Sequence, residues 1–253
     1  MNGKRLQYKI LLTYIPLLVF PLLGQSQSRS KLLQKAWIRT RIESLSPTPK
    51  APNTTYLRYT FDRQNVTLSR NVAWNGAPVQ WSFNDPVLTI WKSNYIVEEL
   101  TDTSLVFYEP DRDRYYFVSE TAYSAGQQPD TTERFNDRTV YIASRYLAPR
   151  YKKEKSPYNV IFDRLYEVYP VKHETTFLAK FVVTEQGRIE RINIVSGIAE
   201  EHSNEFIKQI QKTSGDWNPA KIGGMPVCCE ITFEIKYQDA LNPRGGTLSG
   251  EIR

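Results

Sequence analysis

Between Trp37 and Thr121 the chain alternates apolar and polar residues in short runs, each closed by turn-forming residues. A period of two places one set of side chains on one face of an extended strand, so these apolar residues can be hidden only in a sheet. The runs are Trp37–Glu43, then Leu57, Tyr59 and Phe61, then Val66 and Leu68 after the turn Asp62–Asn65. Val79, Trp81 and Phe83 follow, then Leu88 and Ile90, Tyr95–Leu100, Leu105 with Phe107, and Tyr115–Thr121. Turns spaced roughly eight to twelve residues apart predict an antiparallel sandwich or barrel. Roughly eight strands is the number that closes a small up-and-down barrel, with room for side chains or one ligand.

The start of the chain has a different character. Residues 1–9 are basic, Ile10–Gly24 are apolar with Pro16 and Pro21 among them, and Gln25–Ser28 are small and polar. That order is the order of a secretory leader, read as residues 1–26, and it places the protein in the periplasm or cell envelope. An uncleaved anchor is the rival reading, but a span needs about 20 apolar residues, and this run is shorter and carries two prolines. Removing Lys4, Arg5 and Lys9 leaves 30 basic residues against 27 acidic ones, an ordinary surface rather than a nucleic-acid footprint. Cys228 and Cys229 are neighbours and on a strand would point to opposite faces, so both read as free thiols, with an intermolecular bond through Cys228 left open.

Beyond a polar stretch, residues 126–140, read as a linker, the periodicity changes. Tyr158–Tyr169 carries Val160, Ile161, Leu165 and Val168 at helical spacing. Phe177–Val183 is apolar on both faces, Gly187 suits a hairpin turn, and Ile189–Val195 reads as the return strand. Ser203–Thr213 puts Phe206, Ile207 and Ile210 on one helical stripe that Gly215 ends, and Val227–Tyr237 reads as a last strand. The expected fold class is therefore an all-β meander or barrel over residues 32–125, followed by a small α+β (ββαβ) domain over 141–238 and a flexible tail, 239–253.

Four pieces of the second half occur in a telling order: Tyr169-Pro170, the Phe181–Ile189 hairpin, Trp217-Asn218-Pro219-Ala220, and Gly224-Met225-Pro226-Val227. Together they resemble the C-terminal domain of TonB proteins, which link an inner-membrane motor to outer-membrane transporters. In that family the segment around the tyrosine–proline pair meets a transporter's box peptide, which adds as a strand to the sheet edge, where N–H and C=O groups stand unpaired. The resemblance implies a contact region at Glu167, Val168, Tyr169 and Pro170, although Tyr169-Pro170 can equally be a turn. The final strand, with Ile231, Phe233 and Ile235, is a second candidate edge. It also implies a structural role for Trp217 as an anchor and for Pro219 where the helix stops. The family's membrane-spanning histidine and Pro-rich spacer have no counterpart here. Residues 32–37 and 95–108, with Trp37 opening the first strand, are similar to the lipocalin-like domains of bacterial envelope proteins.

A lipocalin-like barrel raises a ligand question. Tyr59, Trp74, Trp81, Phe83 and Trp91 either line an apolar cavity or fill the barrel, the usual role of aromatics in small sheets. Enzyme signatures are lacking. His173 and His202 have no partners at metal spacing, Asp111 and Asp113 belong to a mixed-charge turn, and no phosphate loop or nucleophile elbow occurs. The expectation is a protein that binds rather than catalyses, without metal or cofactor. Its partner would be a TonB-dependent transporter or a second copy. An anchored energy transducer and a carrier of a small apolar ligand are the alternatives.

Overall fold

Alternation in the first half produces eight strands: β1 (Ala36–Ser44), β2 (Arg58–Phe61), β3 (Asn65–Ser69), β4 (Pro78–Asn84), β5 (Val87–Ile90), β6 (Ser93–Leu100), β7 (Ser104–Tyr108) and β8 (Asp113–Ser119). In the computed structural model they form a closed barrel in chain order, and antiparallel pairing of β1 with β8 sets Trp37 opposite Ser119. Closure removes the sheet edges that would otherwise invite aggregation. The structure describes residues 29–45, 56–110, 112–132, 134–135, 137–162, 175–197, 200–237 and 248–252. The leader expected at 1–26 lies outside them.

Described residues of 1–54, 60–66 and 79–119 make one compact unit, and those of 55–59, 67–78 and 120–253 make another. In the first unit, Trp37, Phe61, Leu88, Leu105, Phe107 and Phe117 are buried. Phe107 stacks on Phe117 at 5.0 Å and lies 5.0 Å from Tyr95 and 5.5 Å from Tyr115, ring centroid to centroid. The Trp37 indole donates to the Leu33 carbonyl at 3.0 Å, which ties the residues before β1 to the barrel's first strand. Charged residues organise another group: Arg114 reaches Glu98 at 2.8 Å and Glu43 at 3.5 Å, and Tyr116 donates to Glu43 at 2.5 Å.

The second unit begins with chain from the barrel half of the sequence, a membership the linear pattern gave no sign of. Its polar centre is Arg58, 1 % exposed. The guanidinium donates to the carbonyls of Val72 (3.2 Å) and Trp74 (3.2 Å) and to the Asn75 amide oxygen (2.7 Å), and it lies 3.8 Å from Glu120. Glu120 in turn receives both terminal nitrogens of Arg150. Burial, then the nearby Arg150, pulls Arg58 down to about 10, so it stays charged at neutral pH. Two guanidiniums share one carboxylate here; two backbone carbonyls and the Asn75 amide oxygen take up terminal N–H groups of Arg58, while among the described residues the Nε of neither arginine has a hydrogen-bond partner. Glu120 opens a short helix, Glu120–Ser124, and the expected linker that follows is structured in part: residues 130–132 hydrogen-bond along β9 (Val140–Ile142).

The remaining strands are β10 (Arg150–Tyr151), β11 (Thr175–Val183), β12 (Ile189–Ser196), β13 (Trp217–Asn218), β14 (Ala220–Ile222), β15 (Met225–Tyr237) and β16 (Leu248–Ile252). β10 pairs with β13, and six strands form a sheet of order β12-β11-β15-β14, with β9 and β16 also on β15. A helix, Glu200–Gln211, packs through Phe206, whose ring lies 3.7 Å from that of Phe177, and through buried Ile210. A helix covers Pro157–Phe162, within the stretch where one was expected over Tyr158–Tyr169; the rest of that expectation lies outside the described residues. Residues 248–252, expected as flexible tail, are a strand.

Turns fix these pieces. Gly187 has φ +74°, and a Cβ there would sit 2.1 Å from the Trp217 carbonyl oxygen, so no other residue fits the hairpin tip without moving the backbone. Trp217 is fully buried, edge-on to Phe181 at 5.8 Å, with its indole donating to Thr213 at 3.1 Å. The helix ends at Gln211, well before Pro219, so Thr213 and Gly215 (φ +87°) stop it, and Pro219 instead separates β13 from β14.

Two substitutions test this framework. Arg58→Met strands the carbonyls of Val72 and Trp74 and should cost about 3 kcal/mol, visible as a lower urea midpoint; a loss below about 1 kcal/mol would mean that the buried ion group is not structural. Gly187→Ala combines strain with a clash and should destabilise by more than about 1 kcal/mol in the same assay.

Candidate functional site

β15 is the strand against which the docking expectation is measured. Over Cys229–Tyr237 it pairs with β11, residue for residue, with Ile231 opposite Phe181 and Phe233 opposite Ala179. Directly opposed residues share a face. Phe177, Ala179, Phe181 and Val183 therefore join Cys229, Ile231 and Phe233 on one face, all of them buried. The Phe233 ring stacks on Tyr158 at 4.7 Å. Cys228 belongs to the opposite face and packs with Val140 and Val182, with Phe135 against them.

Its other side is taken as well. Met225–Val227 pairs with β14, Cys228–Glu230 runs parallel to β9, and Phe233–Tyr237 pairs antiparallel with β16. The expectation that Ile231, Phe233 and Ile235 present an open edge is therefore corrected. Ile231 and Phe233 are core residues at 0 % exposure, and Ile235 sits between Phe177 and Gly250 in the register. Apolar alternation cannot distinguish an edge strand from a central one, which is why the sequence suggested an edge. Glu167, Val168, Tyr169 and Pro170 lie outside the described residues.

Among the described residues β12 pairs with β11 alone. That edge is guarded. Arg191 holds φ +51° where the β11–β12 register slips, an irregularity of the bulge type that discourages a further strand. Val195, near its end, is exposed.

The aromatic quintet does not assemble into one cavity lining. Tyr59 is buried, and Trp81 and Phe83 are half-buried on one face of β4, Trp81 lying edge-on to Phe61 at 5.1 Å. Trp74 belongs to the second unit, bridges to Tyr151, and donates its indole N–H to the Lys153 carbonyl at 2.9 Å. Trp91 forms the turn between β5 and β6 at φ +53°, with 70 % of its surface exposed. Trp74 and Trp91 are therefore removed from the ligand set. The physical reason is the same for both: each falls in a connection, where a side chain does not follow the strand alternation.

One polar cluster escaped the sequence reading. Arg138 bridges Glu185 at 3.3 Å and Glu190 at 2.6 Å, and Phe135 lies beneath the guanidiniums of Arg138 (6.0 Å) and Arg191 (5.6 Å). Phe135 and Arg138 exchange backbone hydrogen bonds around a tight turn in which Asp137 has φ +59°. The signal was Asn136-Asp137, a turn pair inside a stretch read as linker. Among the described residues no group of three or more His, Cys, Asp or Glu could hold a metal ion. His173 lies outside them. No helix of the described residues is long and apolar enough to cross a membrane.

Both cysteines are free and buried. Burial pushes the Cys229 thiol up to about 12, and burial with the neighbouring Glu185 pushes Cys228 up to about 11, from an ordinary value of 9.0. A thiol whose pKa is raised by folding stabilises the fold below its unfolded pKa and loses that contribution as pH rises toward the folded value. Stability should accordingly fall between about pH 9 and 11, by roughly 1 kcal/mol per thiol at pH 10, read from urea titrations at pH 8 and 10. In the folded protein a chromogenic disulfide reagent should react with neither thiol at pH 8; rapid reaction would contradict their burial.

No family model, curated protein or solved structure matches the chain.

Proposed function

We propose that this is an exported cell-envelope protein that acts by binding rather than by catalysis. Its second unit serves as a TonB-like α+β module that accepts an extended segment of a protein partner, and it works beside TonB-dependent transport. The observation that carries the reading is the arrangement of β11, β12, the Glu200–Gln211 helix and β15. A tight hairpin, a helix packed on its sheet and a long returning strand follow in that chain order, with β11 between the other two strands. That order supports reading the unit as the ββαβ arrangement that the resemblance to TonB C-terminal domains implies. The barrel is read as a filled companion rather than a carrier, because Phe107, Phe117, Leu88 and Leu105 are fully packed. Its outer ion pairs around Arg114 are solvent-side contacts worth little each.

Strand addition is the physics of the proposed binding. A sheet offers backbone groups, and a peptide that satisfies them gains affinity from the main chain and selectivity from alternate side chains. Box peptides of the TonB-dependent transporters in the source organism, titrated against the purified full chain by fluorescence anisotropy, should bind with micromolar affinity, about −8 kcal/mol. Failure of every such peptide at millimolar concentration would count against a role beside these transporters. Intact-mass measurement of the native protein from fractionated envelopes addresses location: a start near Gln27 in the soluble periplasm supports an exported adaptor, and an intact Met1 in the inner membrane overturns it.

A further inference from the structure

The two ends of the barrel differ. In a closed barrel paired in chain order, successive connections alternate between the ends. The end of β1, the β5–β6 turn and the β7–β8 turn therefore lie together, and the β2–β3, β4–β5 and β6–β7 turns lie opposite. The opposite end carries Asp62, Asp85 and Asp102 in its turns, and Arg29 and Lys35 pair with the last two. No large hydrophobic side chain is exposed there among the described residues. Leu45 (37 % exposed) and Trp91 (70 %), the exposed large hydrophobics among the first unit's described residues, both fall at the end that holds the β5–β6 turn.

Trp91 is costly where it stands. Ile90 faces Ser93 in the register, which leaves Trp91 and Lys92 as a two-residue hairpin turn. Such turns favour Gly, Asn or Asp, because they need a positive φ. Trp91 holds φ +53°, which a bulky side chain rarely adopts. The backbone closes the turn without help from the ring, since the Trp91 N–H donates to the Gln80 carbonyl at 2.9 Å. Burial offers little in return, and the Lys92 ammonium 5.1 Å from the ring centre is a weak contact at an exposed site. Strain kept without a return in packing points to use outside the fold.

We infer that this end of the barrel docks on a phospholipid surface, with the Trp91 ring in the interfacial layer and the Lys92 ammonium at a lipid phosphate. An indole has an apolar body and one polar N–H, which suits the headgroup level of a bilayer. A neighbouring lysine lays its methylenes along apolar surface and keeps its charge at the anionic headgroups. Leu45 adds an apolar side chain on the same rim. The neighbours Gln80, Lys92 and Asn94 are exposed and polar. A lone ring on a convex tip enters a soft lipid layer, whereas an anchor in a protein interface needs packed neighbours around it that exclude water. The inference goes beyond strand binding by the second unit and does not depend on it.

The test is co-sedimentation of the full chain with vesicles of phosphatidylcholine alone or mixed with phosphatidylglycerol. Wild type and variants share the same residues 1–28, so differences between them report the barrel tip. Trp91→Gly should lower the partition constant about tenfold. Its urea midpoint should stay equal or rise, because glycine suits a positive φ. Lys92→Glu should lower binding to the phosphatidylglycerol vesicles about fivefold, an effect that added salt shrinks. The fluorescence difference between wild type and Trp91→Gly isolates one indole of the five in the chain. That signal should shift to the blue on vesicles and be quenched by brominated lipid. An unchanged partition constant in Trp91→Gly, or an unquenched Trp91 signal, overturns the inference. A lower urea midpoint in Trp91→Gly also overturns it, since the ring would then serve the fold. Loss of a copurifying envelope protein in Trp91→Gly, with vesicle binding unmoved, assigns the tip to a protein contact and overturns it as well. Failure of every box peptide would remove the transporter reading and leave this test unaffected.

Discussion

The backbone of β15 is the constraint on which the second unit depends. Of its thirteen residues, Cys229–Tyr237 pair with β11 on one side, and β14, β9 and β16 pair in succession on the other. A strand with both ladders engaged and both faces packed has to be apolar in both phases of its alternation. Val227, Cys228, Cys229, Ile231 and Phe233 meet that requirement, and both thiols are buried. Cysteine here is a compact apolar side chain, and the raised pKa of both thiols is the electrostatic mark of that role.

Much of this was legible in the sequence where the governing physics is local. Period-two alternation located all eight barrel strands because each is half-buried and short. Gly187 was legible as a turn because a positive φ leaves few alternatives. Phe206 and Ile210 were legible as a helix stripe for the same kind of reason. What was not legible depends on pairing between distant residues. Nothing in Cys228–Glu230 announces a parallel neighbour at Val140–Ile142, and nothing in Leu248–Ile252 announces a return to Phe233–Tyr237. Trp74 and Trp91 misled because composition alone cannot separate an aromatic in a strand from one in a connection.

The Arg58 group shows a further kind of illegibility. Arg58 alternates with Tyr59 in a strand-like run, and a charged residue at such a position reads as solvent-facing. It is instead the most deeply buried cation of the described residues, because Val72, Trp74 and Asn75 supply acceptors and Glu120 supplies charge. A buried charge that costs desolvation is retained only where many acceptors converge on it. The convergence brings Glu120 to Arg58 across 120 − 58 = 62 residues, so no short window of sequence contains it.

The discontinuous membership of the second unit has a consequence for how the protein reaches its native state. Residues 55–59 and 67–78 belong with chain that begins at Glu120. During synthesis they emerge well before the segments they pack with, so Arg58 waits for Glu120 and Arg150 with its acceptors unassembled. Loop closure over such separations is slow compared with local hairpin formation. Vectorial emergence therefore cannot complete the second unit from its own end of the chain alone, and a chain severed after Ser119 would leave the N-terminal piece holding segments 55–59 and 67–78 of the second unit.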